Sequence, residues 1–387
     1  MLRDIWDARV ATARNAKDKA AALNGLTRSL LETSVDEAAS VNERALRAAA
    51  AAADLRSTAE AVRNRASIAL VRRDLDAAEA DYATAAQMAE ALEHGGLWAS
   101  ALIGQAAVCR LRSDFDGALA RLSMARQRAG EAGDLATERL AWNYLAALYL
   151  EMQDNPAADA AASACWASAE EAGDTLLALA CSSQLWRARF AASAPDRCLR
   201  GLKRCAAGFK ALGDKLAYSQ CLVHIGRLEL TMGQHESALE RAREAEAVSE
   251  DVGDCATAFE ARLLAGETRA AQGDFPEAGR LFAQVREFAG QRGLLSLGLS
   301  VRRSEARVAD QLGDTDTARI LWEEVGQSAF ELGFWYPTLE ANAALARIAM
   351  AEGDLVSAQI YLERRDVAKS MLEWETPGTE MADYRAD

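Results

Sequence analysis

Four arginines, Arg187, Arg227, Arg307 and Arg347, fall in one 40-residue register, and Glu267 occupies the position between them. A guanidinium presents a planar fork of donors that binds a carboxylate through two parallel hydrogen bonds, so such a column could hold acidic side chains or a free C-terminus. Arg303, one helical turn before Arg307, can join it. Glu260, Glu267, Asp310 and Glu340 are close enough in register to neutralise the same arginines internally. Both readings, a partner's carboxylate or internal ion pairing, stay open. Toward the N-terminus the column reads Thr27, Ser67, Ala107 and Ala147, without charge.

Other chemistries are poorly supplied. Seven cysteines without a CxxC spacing argue against a disulfide framework or a zinc knuckle. Cys181 and Cys221 lie one period apart, and Cys165, Cys198 and Cys205 take slots held elsewhere by Ala, so they are expected to pack as small hydrophobes. A metal or redox group from Cys181, Cys198, Cys205 and Cys221 is the sharper alternative. His94, His224 and His235 have no i, i+4 relation, and there is no Ser-His-Asp order, phosphate-cradling glycine loop or HExxH stretch. The chain is therefore expected not to be an enzyme and to use no cofactor and no metal. A net charge of −14 disfavours nucleic acid and anionic membranes as partners. No apolar run approaches 18 residues, and the N-terminal MLRDIWDARVATARNAKDK alternates charged with apolar residues, so the expected location is cytoplasmic, with no membrane.

The elements that must position the arginines follow from punctuation. Asp74, Asp114, Asp154, Asp274, Asp314 and Asp354 share one 40-residue register, and Gly133, Gly173, Gly213, Gly253, Gly293 and Gly333 share another. Glycine after a helix can adopt the left-handed conformation that closes its last carbonyls, and a following Asp can cap the next helix. Two such turns per period mean two helices per repeat. Few prolines and abundant Ala, Leu, Arg and Glu favour helix throughout, so the class is all-α. Helix pairs of this length cannot hide their apolar faces alone and must stack.

GETRAAQGDFPEAGRLF, residues 266–282, resembles a tetratricopeptide (TPR) repeat: Gly266 within a first helix, a Gly273-Asp274-Phe275 turn, then Ala278 and Phe282 on the second helix. Gly226 repeats the small mid-helix position, which Ala66, Ala106, Ala146 and Ala346 fill elsewhere. The common TPR unit has 34 residues and this one 40, so its helices are longer by about a turn. The resemblance implies a right-handed superhelical solenoid of antiparallel helix pairs. An N-terminal capping helix is expected over residues 1–13, with Leu2, Ile5, Trp6 and Val10 on one face. About nine helix pairs are expected over 14–372, and a tail or the start of a linker over 373–387. The His94-Gly95-Gly96 turn reads as shifted from the regular register. Trp186, where Gly or Ala usually sits, is expected to push helices apart or to find small neighbours, and the turn 192–196 is the most irregular.

In TPR superhelices the first helix of each pair lines a concave groove. The resemblance thereby puts Arg187, Arg227, Glu267, Arg303, Arg307 and Arg347 on that groove. Its N-terminal half would be more apolar, from Ile103, Ala107, Leu111, Leu140, Ala147 and Leu150, with Asn143 and Arg110 as polar points; ordinary core is the competing reading for Leu140 and Leu150. The long Gly-Asp punctuated repeats are similar to sensor and interaction regions of bacterial signalling proteins, such as those attached to diguanylate or nucleotide cyclases and to ATP-dependent transcription activators. This implies a regulatory module that binds a protein or peptide segment, acidic or with a free C-terminus, with a homodimer allowed. The alternatives are a sensor of a small anionic ligand that uses the groove arginines, and a regulator resembling TPR-containing aspartyl-phosphate phosphatases, acting on a response regulator.

Overall fold

The computed structural model describes residues 2–31, 33–152, 154–190 and 194–374. They form nineteen α-helices, with no strand among the described residues. A short α1 (Leu2–Thr12) precedes nine helix pairs. The pairs are α2 (Ala16–Leu31) with α3 (Val35–Ala51), α4 (Leu55–Val71) with α5 (Leu75–Ala91), and α6 (Gly95–Leu111) with α7 (Phe115–Glu131). Next come α8 (Leu135–Met152) with α9 (Asn155–Glu171), α10 (Thr175–Ala188) with α11 (Pro195–Leu212), and α12 (Lys215–Thr231) with α13 (His235–Val252). The last are α14 (Cys255–Ala271) with α15 (Phe275–Arg292), α16 (Leu295–Leu312) with α17 (Thr315–Glu331), and α18 (Trp335–Glu352) with α19 (Leu355–Trp374). The end of the tail expected after α19, residues 375–387, lies outside the described residues.

Most of the described turns work as the punctuation requires, though Asp54 and Gln234 precede their helices without a side-chain cap bond. The caps Asp74, Asp114 and Asp274 accept from the backbone N–H groups of Ala77, Gly117 and Glu277, three residues on. Before the cap, one residue has positive φ: Gly273 at 84°, Gly313 at 72°, and equivalently through the C-terminal half. The first three repeats put side chains there instead, with Ala53 at 50°, Arg73 at 59°, Glu93 at 52° and Ser113 at 62°. This corrects the reading of the His94 turn: Glu93 takes the left-handed position, His94 Nδ1 accepts from the N–H of Leu97, and α6 begins in register at Gly95.

Large residues sit over small ones between neighbouring helices. A β-carbon on Gly266 would stand 2.6 Å from Phe282, one on Gly104 would stand 2.1 Å from Tyr82, and one on Gly25 would stand 2.5 Å from Trp6 of α1. Trp186 inverts the arrangement: its indole lies where a β-carbon of Gly201, on the following helix, would come within 2.2 Å. The bulk has moved from second helix to first, and the glycine with it. Val10 and Trp6 of α1 pack on the core of α2 and α3, whereas Ile5, expected on the same face, is 47% exposed.

The solenoid also closes on itself. Arg292 Nη1 donates to the carbonyl of Arg72 at 3.2 Å, across 220 residues, or five and a half 40-residue repeats. On either side of that contact, Val35 lies 3.6 Å from the position of a β-carbon on Gly253, the hydroxyls of Ser113 and Ser296 are 3.0 Å apart, and Phe115 meets Phe334. Apolar clusters join the two turns: Leu216 and Val252 pack with Leu23 and Val41, and Phe288 and Leu294 with Tyr82 and Val108. The second superhelical turn thus rests on the first, and the first helices enclose a lumen. No helix among the described residues is long and apolar enough to cross a membrane.

Candidate functional site: a lumen walled by the first helices

A period of 40 residues returns the same helix face to the axis in every repeat, and the residues of that face line a cavity of about 470 Å³. Arg110 comes from the end of α6, Glu151 from α8, Arg187 from α10, Arg227 from α12, Glu260 from α14, and Ser300 and Arg303 from α16. Arg73, from the turn after α4, and Tyr336, at the start of α18, also line it, so both superhelical turns contribute to one space.

Most of the charge there is paired. Arg110 bonds Glu151, and Arg227 stands 3.9 Å from Glu260. Further along, Glu340 receives Arg307 at 2.6 Å and Arg303 at 3.6 Å, and Asp310 receives Arg347 at 2.7 Å and the indole N–H of Trp322 at 2.9 Å. Glu267 accepts from the Ser304 hydroxyl at 2.7 Å. Internal pairing, one of the two readings left open by the sequence, is what the structure shows for Arg227, Arg307 and Arg347.

Two guanidiniums differ. Among the described residues neither Arg187 nor Arg73 has an ion-pair or side-chain hydrogen-bond partner, and Arg73 Nε is shut off from solvent. Loss of water pulls the Arg187 pKa down to about 10, with the nearby charge of Arg227 adding to it. Burial likewise lowers that of Arg73. His224, on α12, is held well below its usual range by burial and then by Arg187 and Arg227, so it is neutral near pH 7. Gln184, one turn before Arg187, donates through Nε2 to Asn143 Oδ1 at 3.0 Å, which leaves its Oε1 buried without a donor.

Of the residues singled out in the sequence, Arg110, Arg187, Arg227 and Arg303 reach the lumen, as do Leu111, Ala147 and Leu150. Asn143 lies behind the wall, accepting from Gln184 and from Cys181 Sγ. Ile103 is not a groove residue: it is 3% exposed, in the core between α6, α7 and α8; Ala107 is also buried, and Leu140 packs partly buried against that core. In α6 apolar residues on all sides give no amphipathic contrast by which the sequence could separate groove from core. Six of the seven cysteines are buried, and no group of three or more His, Cys, Asp or Glu among the described residues is arranged to hold a metal ion.

Arg73, Glu151, Gln184, His224 and Tyr336 were missed. Arg73 belongs to a turn, outside the helical column, and its one signal was a long charged residue where the register calls for glycine. A second cavity, of about 800 Å³, opens at the C-terminal end against α19, lined by Phe330, Trp335, Ile360, Tyr361 and Val367 among others.

No family model and no curated protein sequence matches the chain. Solved structures do. A Rap protein complexed with Competence and Sporulation Factor is 12% identical, with 93% of this chain and 99% of that one covered and a TM-score of 0.67. The Rap conjugation gene regulator of plasmid pLS20, in complex with the Phr* peptide, is 14% identical, with 73% and 76% covered and a TM-score of 0.59. Aspartyl phosphate phosphatase F from Bacillus subtilis is 10% identical, with 94% and 96% covered and a TM-score of 0.53. At such identities the likeness is one of fold, an all-α TPR-like solenoid.

Proposed function

We propose that this chain is a regulatory interaction module of bacterial signal transduction that binds a peptide, or an extended segment of a protein, inside the superhelical lumen. The observation that carries the reading is the cavity of about 470 Å³ lined from both superhelical turns, with Arg187 on its wall and no ion-pair partner for it among the described residues. A linear occupant fits a lumen that runs past many repeats, each presenting the same helix face, better than a compact one does. The two most similar folds reported above are of proteins complexed with a competence factor and with a peptide, which supports the same reading. Because the occupant touches both turns, its binding would alter their closure, and through it the surface shown to a partner protein or an attached cyclase or transcription-activator domain. The setting is cytoplasmic, and the module regulates without catalysing.

Calorimetry of the full chain against a pentapeptide pool and against a panel of small organic anions tests the reading. Peptide binding that is abolished in Arg187→Glu supports it. Tight binding of a small anion with no peptide bound would replace it with the sensor reading.

The likeness to an aspartyl phosphate phosphatase supports a second reading, in which the chain promotes dephosphorylation of a response regulator. Unchanged phosphate release from phosphorylated receiver domains on addition of the chain would remove it.

A further inference from the structure

The cavity of about 800 Å³ at the C-terminal end shares only Trp335 with the lumen. It lies between α17 and α19, over α18, in the wedge that a repeat of helix pairs leaves between successive second helices. What fills that wedge elsewhere can be read along the 40-residue register of Gly326 and Asn342. Every corresponding pair, back to Leu46 and Val62, contains Leu, Trp or Arg. Arg126 lies over the ring of Trp142 at 4.6 Å, and Arg262 reaches back to Glu246 and Glu250. Glu250 is the counterpart of Phe330. At the last junction a stacked or ion-paired filling is thus replaced by a glycine, a short amide and an aromatic ring, and the wedge stays open.

Its walls are apolar, with few polar points. Phe330 and Trp335 meet edge to face, with ring centroids 5.9 Å apart, and Ile360 and Val367 line it from α19. Asn342 is 5% exposed; its Nδ2 donates to the Thr338 carbonyl at 2.8 Å, and nothing among the described residues donates to its Oδ1. The carboxylates on the lining are engaged, Glu323 by the Tyr361 hydroxyl at 3.3 Å and Glu363 by Gln359 at 2.9 Å. Asp366 is held by Arg365, and Arg364, also on the lining, has no ion-pair partner among the described residues.

We propose that this wedge is a binding site for a small amphipathic molecule with a flat aromatic body, a hydrogen-bond donor for Asn342 Oδ1 and an acidic group for Arg364. Aromatic walls bury a flat apolar body, and a few placed polar groups orient it, which is the usual make-up of a small-molecule site of this size. The preceding junction is occupied by Arg286 on Glu305 and Arg302 on Glu324, so the cavity is confined to one wedge and an extended chain finds no continuation there. The site is separate from the peptide-binding reading of the lumen and does not depend on it.

The probe is 1-anilinonaphthalene-8-sulfonate, which carries an aromatic body, an N–H and a sulfonate; it is titrated into the full chain and its fluorescence followed. Wild type is expected to bind it saturably, at one site per chain. Asn342→Arg and Gly326→Arg, which restore the arginines of neighbouring repeats, are expected to weaken binding about tenfold or more, and Arg364→Gln to weaken it to a smaller extent. A β-carbon on Gly326 would meet nothing closer than 3.4 Å, so the position has room for a side chain. Phe330→Ala removes a ring that is 58% exposed, a change the fold tolerates, and is also expected to weaken binding, which keeps the test open should an arginine variant lose its helical circular dichroism. Arg187→Gln, in the lumen, is expected to bind the dye as wild type does. No saturable binding by wild type, or equal affinity in wild type and the folded wedge variants, overturns the inference. Loss of binding in Arg187→Gln alone places the dye in the lumen and overturns it as well.

Discussion

Phe115 and Phe334, from opposite turns of the superhelix, meet edge to face with ring centroids 5.0 Å apart and planes at 74°. Each begins or precedes a helix, Phe115 as the first residue of α7 and Phe334 as the cap position before α18. The contact therefore joins two corners of the solenoid, and each ring also packs on the core of its own repeats. Few contacts cross between the turns, so closure depends on a small number of side chains while stacking depends on many.

Phe334→Ala is expected to open the closure before it unfolds the repeats. Loss of an aromatic pair together with its buried area costs about 2–4 kcal/mol where the ring is well packed. The expected outcome is a larger radius of gyration by small-angle scattering, with helical content by circular dichroism nearly unchanged. A scattering curve identical to wild type would show that the other inter-turn contacts suffice.

Backbone strain is concentrated in the first three repeats. Ala53 and Glu93 sit at φ of 50° and 52°, where a side chain crowds the backbone and the C-terminal repeats use glycine. Ala53→Gly and Glu93→Gly should each stabilise the fold by about 0.5–1 kcal/mol, relief of strain outweighing the added chain entropy of the unfolded state. Gly253→Ala, at φ of 84° and against Val35, should destabilise it by at least as much. Urea titrations of the three variants measure the signs.

The repeat was legible in the sequence because its physics is local. A cap and a left-handed residue act within a few positions of themselves, so Asp74 or Gly273 announces a turn wherever it stands. Partners across a helix pair were half legible: Trp186 was visible as an intruder, but Gly201, which receives it, looked like any other glycine until the packing was seen. Closure of the superhelix was not legible at all. Superhelical pitch sums small rotations over five and a half repeats, and nothing near Arg72 or Arg292 signals that they will meet. The lumen inherited that blindness. Arg187 was found through periodicity, and Arg73, brought to the same lumen from the turn after α4, could not be.

His224 is expected to make the protein acid-sensitive. Its pKa in the folded chain is driven well below the usual value, first by loss of water and then by Arg187 on the neighbouring first helix and Arg227 on its own. The unfolded chain takes up a proton near pH 6.5 and the folded one does not, so below that pH the unfolded state binds more protons and stability falls. Above it both states are neutral at this residue and the contribution is constant. Once well below pH 6.5, the slope from one such group is about 1.4 kcal/mol per pH unit. His224→Gln, which keeps a polar side chain without the titration, should flatten the loss between pH 6.5 and 5 while leaving the pH 8 stability within about 1 kcal/mol. Chemical denaturation of wild type and variant at each pH measures the difference. Parallel curves for the two proteins would mean that His224 becomes protonated in the fold as easily as in the unfolded chain, and that the lumen is wetter than its walls imply.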